Sequence, residues 1–244
     1  MGLPRFFAPD LDAAARIARL PPGEAQHLTR VLRLNVGDAV TVFDGRGSEW
    51  MGRVAGTSRS GATVHLGEPV DPAAEPPVRV TLAVGLLKGD QMDAVVRDAT
   101  MLGATAIVPI ASAHVAVPAA GRRSDVAVER WARVAAASAK QCGRAVVPVV
   151  SPVTRFEAVI AGWHLGPTIM CVEPARAAGG PGSLPGVPPT DALLLVGPEG
   201  GWAEAEIEQA MYSGARLLHL GPRTLRAETA PTVALSVLWS AWGW

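Results

Sequence analysis

The chain has 244 residues, 49% hydrophobic and 18% charged, and its 22 Lys and Arg balance 22 Asp and Glu. An ordinary apolar fraction with zero net charge excludes whole-chain disorder and leaves enough material for one large domain or two smaller ones. The balance also removes the global basic signature of a nucleic-acid binder, so only a local basic patch would serve such a partner.

In chain order, residues 23–33 have helical character and carry Arg30 and Arg33. Short β-branched runs follow at 40–43, 50–54 and 62–66, separated by turn formers such as Asp44-Gly45-Arg46-Gly47, a spacing that predicts a small barrel or sandwich. Residues 71–77 hold three prolines and form a stiff linker between predicted domains at 1–70 and 78–244. Beyond it the period changes. Strands are predicted at 78–87, 104–110, 168–172, 193–196 and 217–220, and helices at 90–102, 126–141 and 203–212. The polar face of the last of these carries Glu204 and Glu208. An apolar helix closes the chain within 229–244. Alternating helices and continuous apolar strands predict an α/β domain with a mostly parallel sheet covered on both faces. The Pro/Gly/Ala-rich stretch 174–190 reads as a long loop between core strands.

Cys142 and Cys171 lack CxxC spacing, and the five histidines form no HxxxH or HExxH pair, so neither a disulfide framework nor a metal site is expected. The first ten residues contain Arg5 and Asp10 and no apolar run, so no secretory leader is expected. The uncharged C-terminal stretch, 229–244, is interrupted by Pro231 and is shorter than the roughly 20 residues of a membrane span. A cytoplasmic protein without membrane contact is expected.

Two loops carry the sharpest signals. Gly197-Pro198-Glu199-Gly200-Gly201 follows an apolar strand and precedes a helix, the position where open α/β sheets bind ligands. A tight turn that needs glycine explains it equally well in isolation. Leu220-Gly221-Pro222-Arg223-Thr224-Leu225-Arg226-Ala227-Glu228-Thr229-Ala230 again opens with Gly-Pro after a short strand and leads into a helix. Two such loops on neighbouring strands favour one shared pocket. Neither has the spacing of a dinucleotide fingerprint or a Walker loop, and no GxSxG elbow is present. Lys88-Gly89-Asp90-Gln91-Met92-Asp93 and Lys140-Gln141-Cys142-Gly143-Arg144 mark two further helix ends, and each is adequately explained by exposure or by the helix dipole.

Taken in order, Arg30-Val31-Leu32-Arg33 with Phe43-Asp44-Gly45, Lys88-Gly89-Asp90 with Met92-Asp93, Gln141-Cys142-Gly143-Arg144, GPEGG and LGPRTLRAETA resemble the RsmE family. These are small-subunit ribosomal RNA methyltransferases of the SPOUT superfamily. The resemblance implies a PUA-like β-barrel RNA-binding domain followed by a knotted α/β domain that holds S-adenosylmethionine. It implies a homodimer that methylates N3 of one uridine in 16S ribosomal RNA, on the assembled small subunit. Glu173, Val196, Gly197, Gly200, Gly201, Leu220, Gly221, Leu225 and Arg226 are then the expected cofactor contacts. The chain departs from the family pattern at Met101 and Lys140, where a glutamate is frequent, and this puts any role for an acid at those positions in doubt.

Methyl transfer from a sulfonium needs alignment and an available nucleophile. Uridine N3 is protonated at neutral pH and lies on the pairing edge, so the base must be unpaired and its proton removed. Arg226 and Glu228 are the candidates at that base, with Glu199 shaping the cofactor loop. Arg5, Arg30, Arg33, Lys88 and Arg144 are the candidate phosphate contacts. Two other readings stay open: a methyltransferase of this fold with another target nucleotide, and a non-catalytic RNA-binding protein.

Overall fold

The computed structural model describes residues 2–58, 61–115, 122–176 and 184–244. The chain divides into two units, one made of Met1–Glu75 and Ala139–Val147, the other of Pro76–Ser138 and Pro148–Trp244.

In the first unit, β1 (Arg5–Phe7), β2 (Asp10–Asp12), β3 (Ile17–Leu20), β4 (Ala39–Phe43), β5 (Glu49–Thr57) and β6 (Ala62–Val70) form a sheet in the order β1-β4-β5-β6-β3-β2. β1 pairs with β4 in parallel, and the remaining pairs are antiparallel. Alternating side chains of β4, β5 and β6 bury Val40, Val42, Val54 and Val64 around Phe6 and Leu28. The expected single helix at 23–33 is interrupted. α1 (Pro22–Gln26) starts with proline in its first turn, where the missing N–H costs nothing, and then widens into a π-helical turn over His27–Val31. Arg33, at φ 55, takes a left-handed conformation just beyond it. The stretch 139–147 completes this unit: Ala139 and Ala145 pack on Phe43, and Val147 N donates to Gly45 O at 2.9 Å.

In the second unit, β7 (Arg79–Gly85), β8 (Ala106–Ala111), β9 (Val149–Val150), β10 (Thr154–Arg155), β11 (Thr168–Cys171), β12 (Asp191–Val196) and β13 (Arg216–Leu218) form a sheet. Its order is β10-β8-β7-β12-β11-β13, with β9 also on β8, and every pairing is parallel. Val80, Leu82 and Val84 of β7 and Leu193, Leu194 and Leu195 of β12 are buried, as central strands covered on both faces require. The helices are α2 (Gln91–Met101), α3 (Arg122–Cys142), α4 (Phe156–Gly162), α5 (Glu204–Tyr212) and α6 (Ala230–Trp242). α6 buries Leu235, Leu238, Trp239 and Trp242, and no helix among the described residues is long and apolar enough to cross a membrane. Within the expected loop 174–190, Pro174–Arg176 forms a 3-10 turn and residues 177–183 lie outside the described residues.

Candidate active site

The carboxyl ends of the parallel strands converge on one cleft in the second unit, enclosing about 840 Å³ of empty space including its open mouth. Three backbone segments wall it: Cys171–Pro174 after β11, Val196–Trp202 after β12, and the run from Leu220 to Ala230 before α6.

The glycine loop is packed hard from two sides. A Cβ on Gly85, the last residue of β7, would lie 2.5 Å from the Pro198 ring, so Pro198 reaches β7 only over a glycine. A Cβ on Gly197 would stand 3.2 to 3.4 Å from the Trp202 indole. That indole is buried and its Nε1 donates to Cys171 O at 3.0 Å, which fastens the loop to the end of β11. Cys171 is itself buried, and burial pushes its thiol up to about 12. It is a wall of the cleft and not a nucleophile.

A second, shallower cleft opens among Asp90, Gln91, Asp93, Ala94, Arg97, Val134 and Glu228. Residues 227 and 228 separate the two: Ala227 is buried and faces the first, Glu228 the second. Lys88 N donates to Glu199 Oε1 at 3.2 Å. With its NH₂ turned toward Glu199, the Gln91 amide donates to Glu199 Oε1 at 2.9 Å and to Lys88 O at 3.1 Å. Its other end then lies 3.4 Å from Glu228 Oε2. Gln91 thus stands between the two acids that the sequence singled out. Arg226 Nη1 is 3.8 Å from Glu228 Oε1; the arginine is 85% exposed and the glutamate 25%.

Of the expected cofactor contacts, Glu173, Val196, Gly197, Gly200, Gly201, Leu220 and Leu225 line the first cleft. Gly221 and Arg226 do not. Gly221, at φ +90, turns the chain, and Arg226 faces solvent. His114 and Ile207 also line the cleft and carried no sequence signal, whereas Arg223 and Thr224 lie within the run already singled out but were not named as contacts.

Comparison with known proteins decides the family. An RNA methyltransferase domain model matches residues 74–239, and an RNA methyltransferase PUA domain model matches 20–66. Ribosomal RNA small subunit methyltransferase E of Synechocystis is 35% identical, covering 89% of this chain and 71% of that protein. The protein of the same name from Bacillus subtilis is 31% identical, covering 88% and 86%. This chain belongs to the RsmE family. Among solved structures, a Legionella pneumophila methyltransferase with bound S-adenosylmethionine matches with a TM-score of 0.89 at 26% identity, covering 99% of this chain and 98% of that one. The Neisseria gonorrhoeae family member, also bound to S-adenosylmethionine, matches at 0.84 and 28%, with the same coverage.

The RsmE-family cleft of this chain fits that cofactor. It offers apolar walls from Val196, Leu220, Leu225 and Ala227 and peptide groups from two glycine-opened loops, with Glu173 and Glu199 at its rim. Apolar surface with a few placed polar groups is what a nucleoside with an amino-acid tail requires. Gly201 takes φ +67, and a Cβ there would stand 3.3 Å from Glu173 Oε1, so a side chain at that wall would be both strained and crowded.

The expected RNA contacts separate into two groups. Arg30, Arg33 and Lys88 are exposed. Arg5 and Arg144 are not. Arg5 forms two 2.8 Å bonds with Glu49, donates to the carbonyls of Ala139, Lys140 and Arg144, and stacks on Phe43 at 3.8 Å. The Arg144 side chain is 6% exposed and paired with Glu75 through Nε at 3.0 Å and Nη2 at 2.5 Å. The expectation that these two offer charge to phosphate is corrected: both guanidiniums are engaged inside the first unit.

Proposed function

We propose that this chain is an S-adenosylmethionine-dependent methyltransferase of small-subunit ribosomal RNA, and that N3 of a uridine in 16S RNA is its acceptor. The observation that carries the proposal is the glycine-walled cleft at the carboxyl edge of the parallel sheet, in a chain whose solved relatives bind this cofactor in the same fold. Bound there, the cofactor supplies an electrophilic methyl group. The peptide groups of Gly197–Trp202 and of the run before α6 hold it, and the Trp202–Cys171 hydrogen bond fastens the glycine loop to the end of β11.

The acceptor base belongs on the other side of residues 227 and 228. Glu228 is the group that takes the N3 proton, and the exposed Arg226 steadies the uracil carbonyls as negative charge develops. Arg30, Arg33 and Lys88 provide phosphate contacts. A small-subunit substrate places the protein in the cytoplasm, and a homodimer with a knotted second unit completes this reading.

The test is transfer of labelled methyl from S-adenosylmethionine to unmodified small subunits and to free 16S RNA, with mass-spectrometric identification of the product nucleoside. N3-methyluridine is expected, with subunits the better substrate. A different methylated nucleoside overturns the acceptor, and failure of the protein to bind the cofactor overturns the enzyme. Near wild-type turnover in both Glu228→Gln and Arg226→Ala overturns their roles.

A further inference from the structure

Glu206 is 6% exposed, and its two carboxylate oxygens each accept a peptide N–H. The carboxylate thereby joins two segments far apart in sequence. Oε2 accepts the Ala203 N–H at 2.9 Å, and Oε1 accepts the Ala113 N–H at 2.9 Å. The first contact serves the start of α5, where Ala203 has no side-chain acceptor of its own. The second does nothing for α5. It reaches the loop that leaves β8 at Ser112 and carries His114.

His114 makes an independent connection between the same two segments. Its Nδ1 lies 2.9 Å from Gly200 O and 3.2 Å from Gly201 O. Carbonyl oxygens only accept, so Nδ1 carries the proton and donates. The backbones approach closely at this point as well, since a Cβ on Gly200 would lie 3.0 Å from the His114 Cβ. His114, Gly200 and Gly201 all line the cofactor cleft.

We propose that Glu206 and His114 are positioning residues that latch the loop after β8 onto the glycine loop and so set the affinity of the cleft for S-adenosylmethionine. This rests on reading the cleft as the site of that cofactor. Neither side chain acts on the methyl group. Their work is to hold the peptide groups of Gly200 and Gly201 in the binding arrangement before the cofactor arrives, which removes an ordering cost from binding.

The alternative is that Glu206 only caps α5, and the two differ in what they predict. Glu206→Gln keeps the shape but exchanges one acceptor for an NH₂ that faces an N–H. His114→Ala leaves the α5 cap intact and removes the second connection. By calorimetry on the full-length protein, each is expected to raise the Kd for S-adenosylmethionine about tenfold, the scale of one lost buried hydrogen bond. Most of the fall in kcat/KM should sit in KM for the cofactor. His114→Asn, whose amide NH₂ occupies nearly the place of Nδ1, should recover most of the affinity. If Glu206→Gln melts earlier yet both it and His114→Ala bind within twofold of wild type, Glu206 is a cap alone and the latch is wrong. Should Glu206→Gln not fold, His114→Ala decides by the same twofold criterion. Absence of binding by the wild-type protein overturns the cofactor reading itself, a result the variants cannot produce.

Discussion

Lys140 Nζ lies 2.7 Å from Glu24 Oε2 and 2.9 Å from His27 Nδ1, with the Phe6 ring 4.7 Å away. The lysine is therefore an internal partner of α1. Because an ammonium only donates, His27 Nδ1 is the acceptor. Lys140→Glu would set two carboxylates against each other at 16% and 20% exposure. A loss of about 2–3 kcal/mol is expected, below that of a fully buried pair. The double variant Glu24→Lys with Lys140→Glu should regain at least half of it in urea unfolding, and no regain would show that the pairing is not what the lysine contributes.

Arginines of the first unit should fall into two phenotypes. Arg5→Ala strands the Glu49 carboxylate and three carbonyls, so it should cost about 3–5 kcal/mol of stability. Arg30→Ala with Arg33→Ala should leave stability within about 0.5 kcal/mol, since both residues are exposed. It should instead weaken RNA binding and make its salt dependence shallower. Unchanged affinity and slope would remove these two from the RNA surface.

Gly85→Ala tests the seat of the glycine loop from outside the cleft. The added methyl would meet Pro198 at 2.5 Å, with the Pro198 backbone nitrogen equally close. The loop has to shift, and cofactor affinity should drop by more than about tenfold, the loss that accompanies a misplaced binding group. Calorimetry checks this, and an unaltered Kd would mean that the Gly85–Pro198 contact does not hold the loop for binding.

The two thiols should differ sharply in reactivity. With Cys171 pushed up to about 12 by burial, only about one part in ten thousand is thiolate at pH 8. Cys142 is partly exposed. Iodoacetamide followed by peptide mass analysis should modify Cys142 first and leave Cys171 intact until the protein unfolds.

Arg79 holds the Asp191 carboxyl below its ordinary range through hydrogen bonds of 2.8 and 2.7 Å. A carboxylate with a depressed folded value stabilises the fold above its unfolded value, about 3.9, and loses that contribution as pH falls through the folded value. Asp191→Asn should therefore be less stable than wild type at pH 7, with the gap closing as pH falls below about 4. A gap that persists at pH 2 would assign the loss to packing instead.

The parallel sheet was legible because β7 and β12 are mostly apolar without strict alternation, as strands covered on both faces are. The cleft was legible through its two Gly-Pro loops on neighbouring strands. What escaped was short or non-local. β1, β2, β3, β9 and β10 have two to four residues each, too few for a period to show. Within α5, Glu204 and Glu208 mark the exposed face, and Glu206 lies on the opposite side, buried. A glutamate there looks like any other in a charged helix until the loop that it binds is in place. Arg5 and Arg144 misled for the same reason, since nothing in their own neighbourhoods announces Glu49 or Glu75.

The stretch 139–147 carries a practical consequence for anyone dissecting the molecule. Phe43 is covered by Ala139 and Ala145, and Arg5 is capped by carbonyls of 139, 140 and 144, so a piece ending at residue 75 lacks part of its own interior. Cutting the gene at the proline-rich connection would give a fragment with an exposed aromatic and an uncapped guanidinium. Exchange of this module between relatives has to carry two separate lengths of coding sequence, and a working chimera needs three junctions, one near 75 and a pair flanking 139–147.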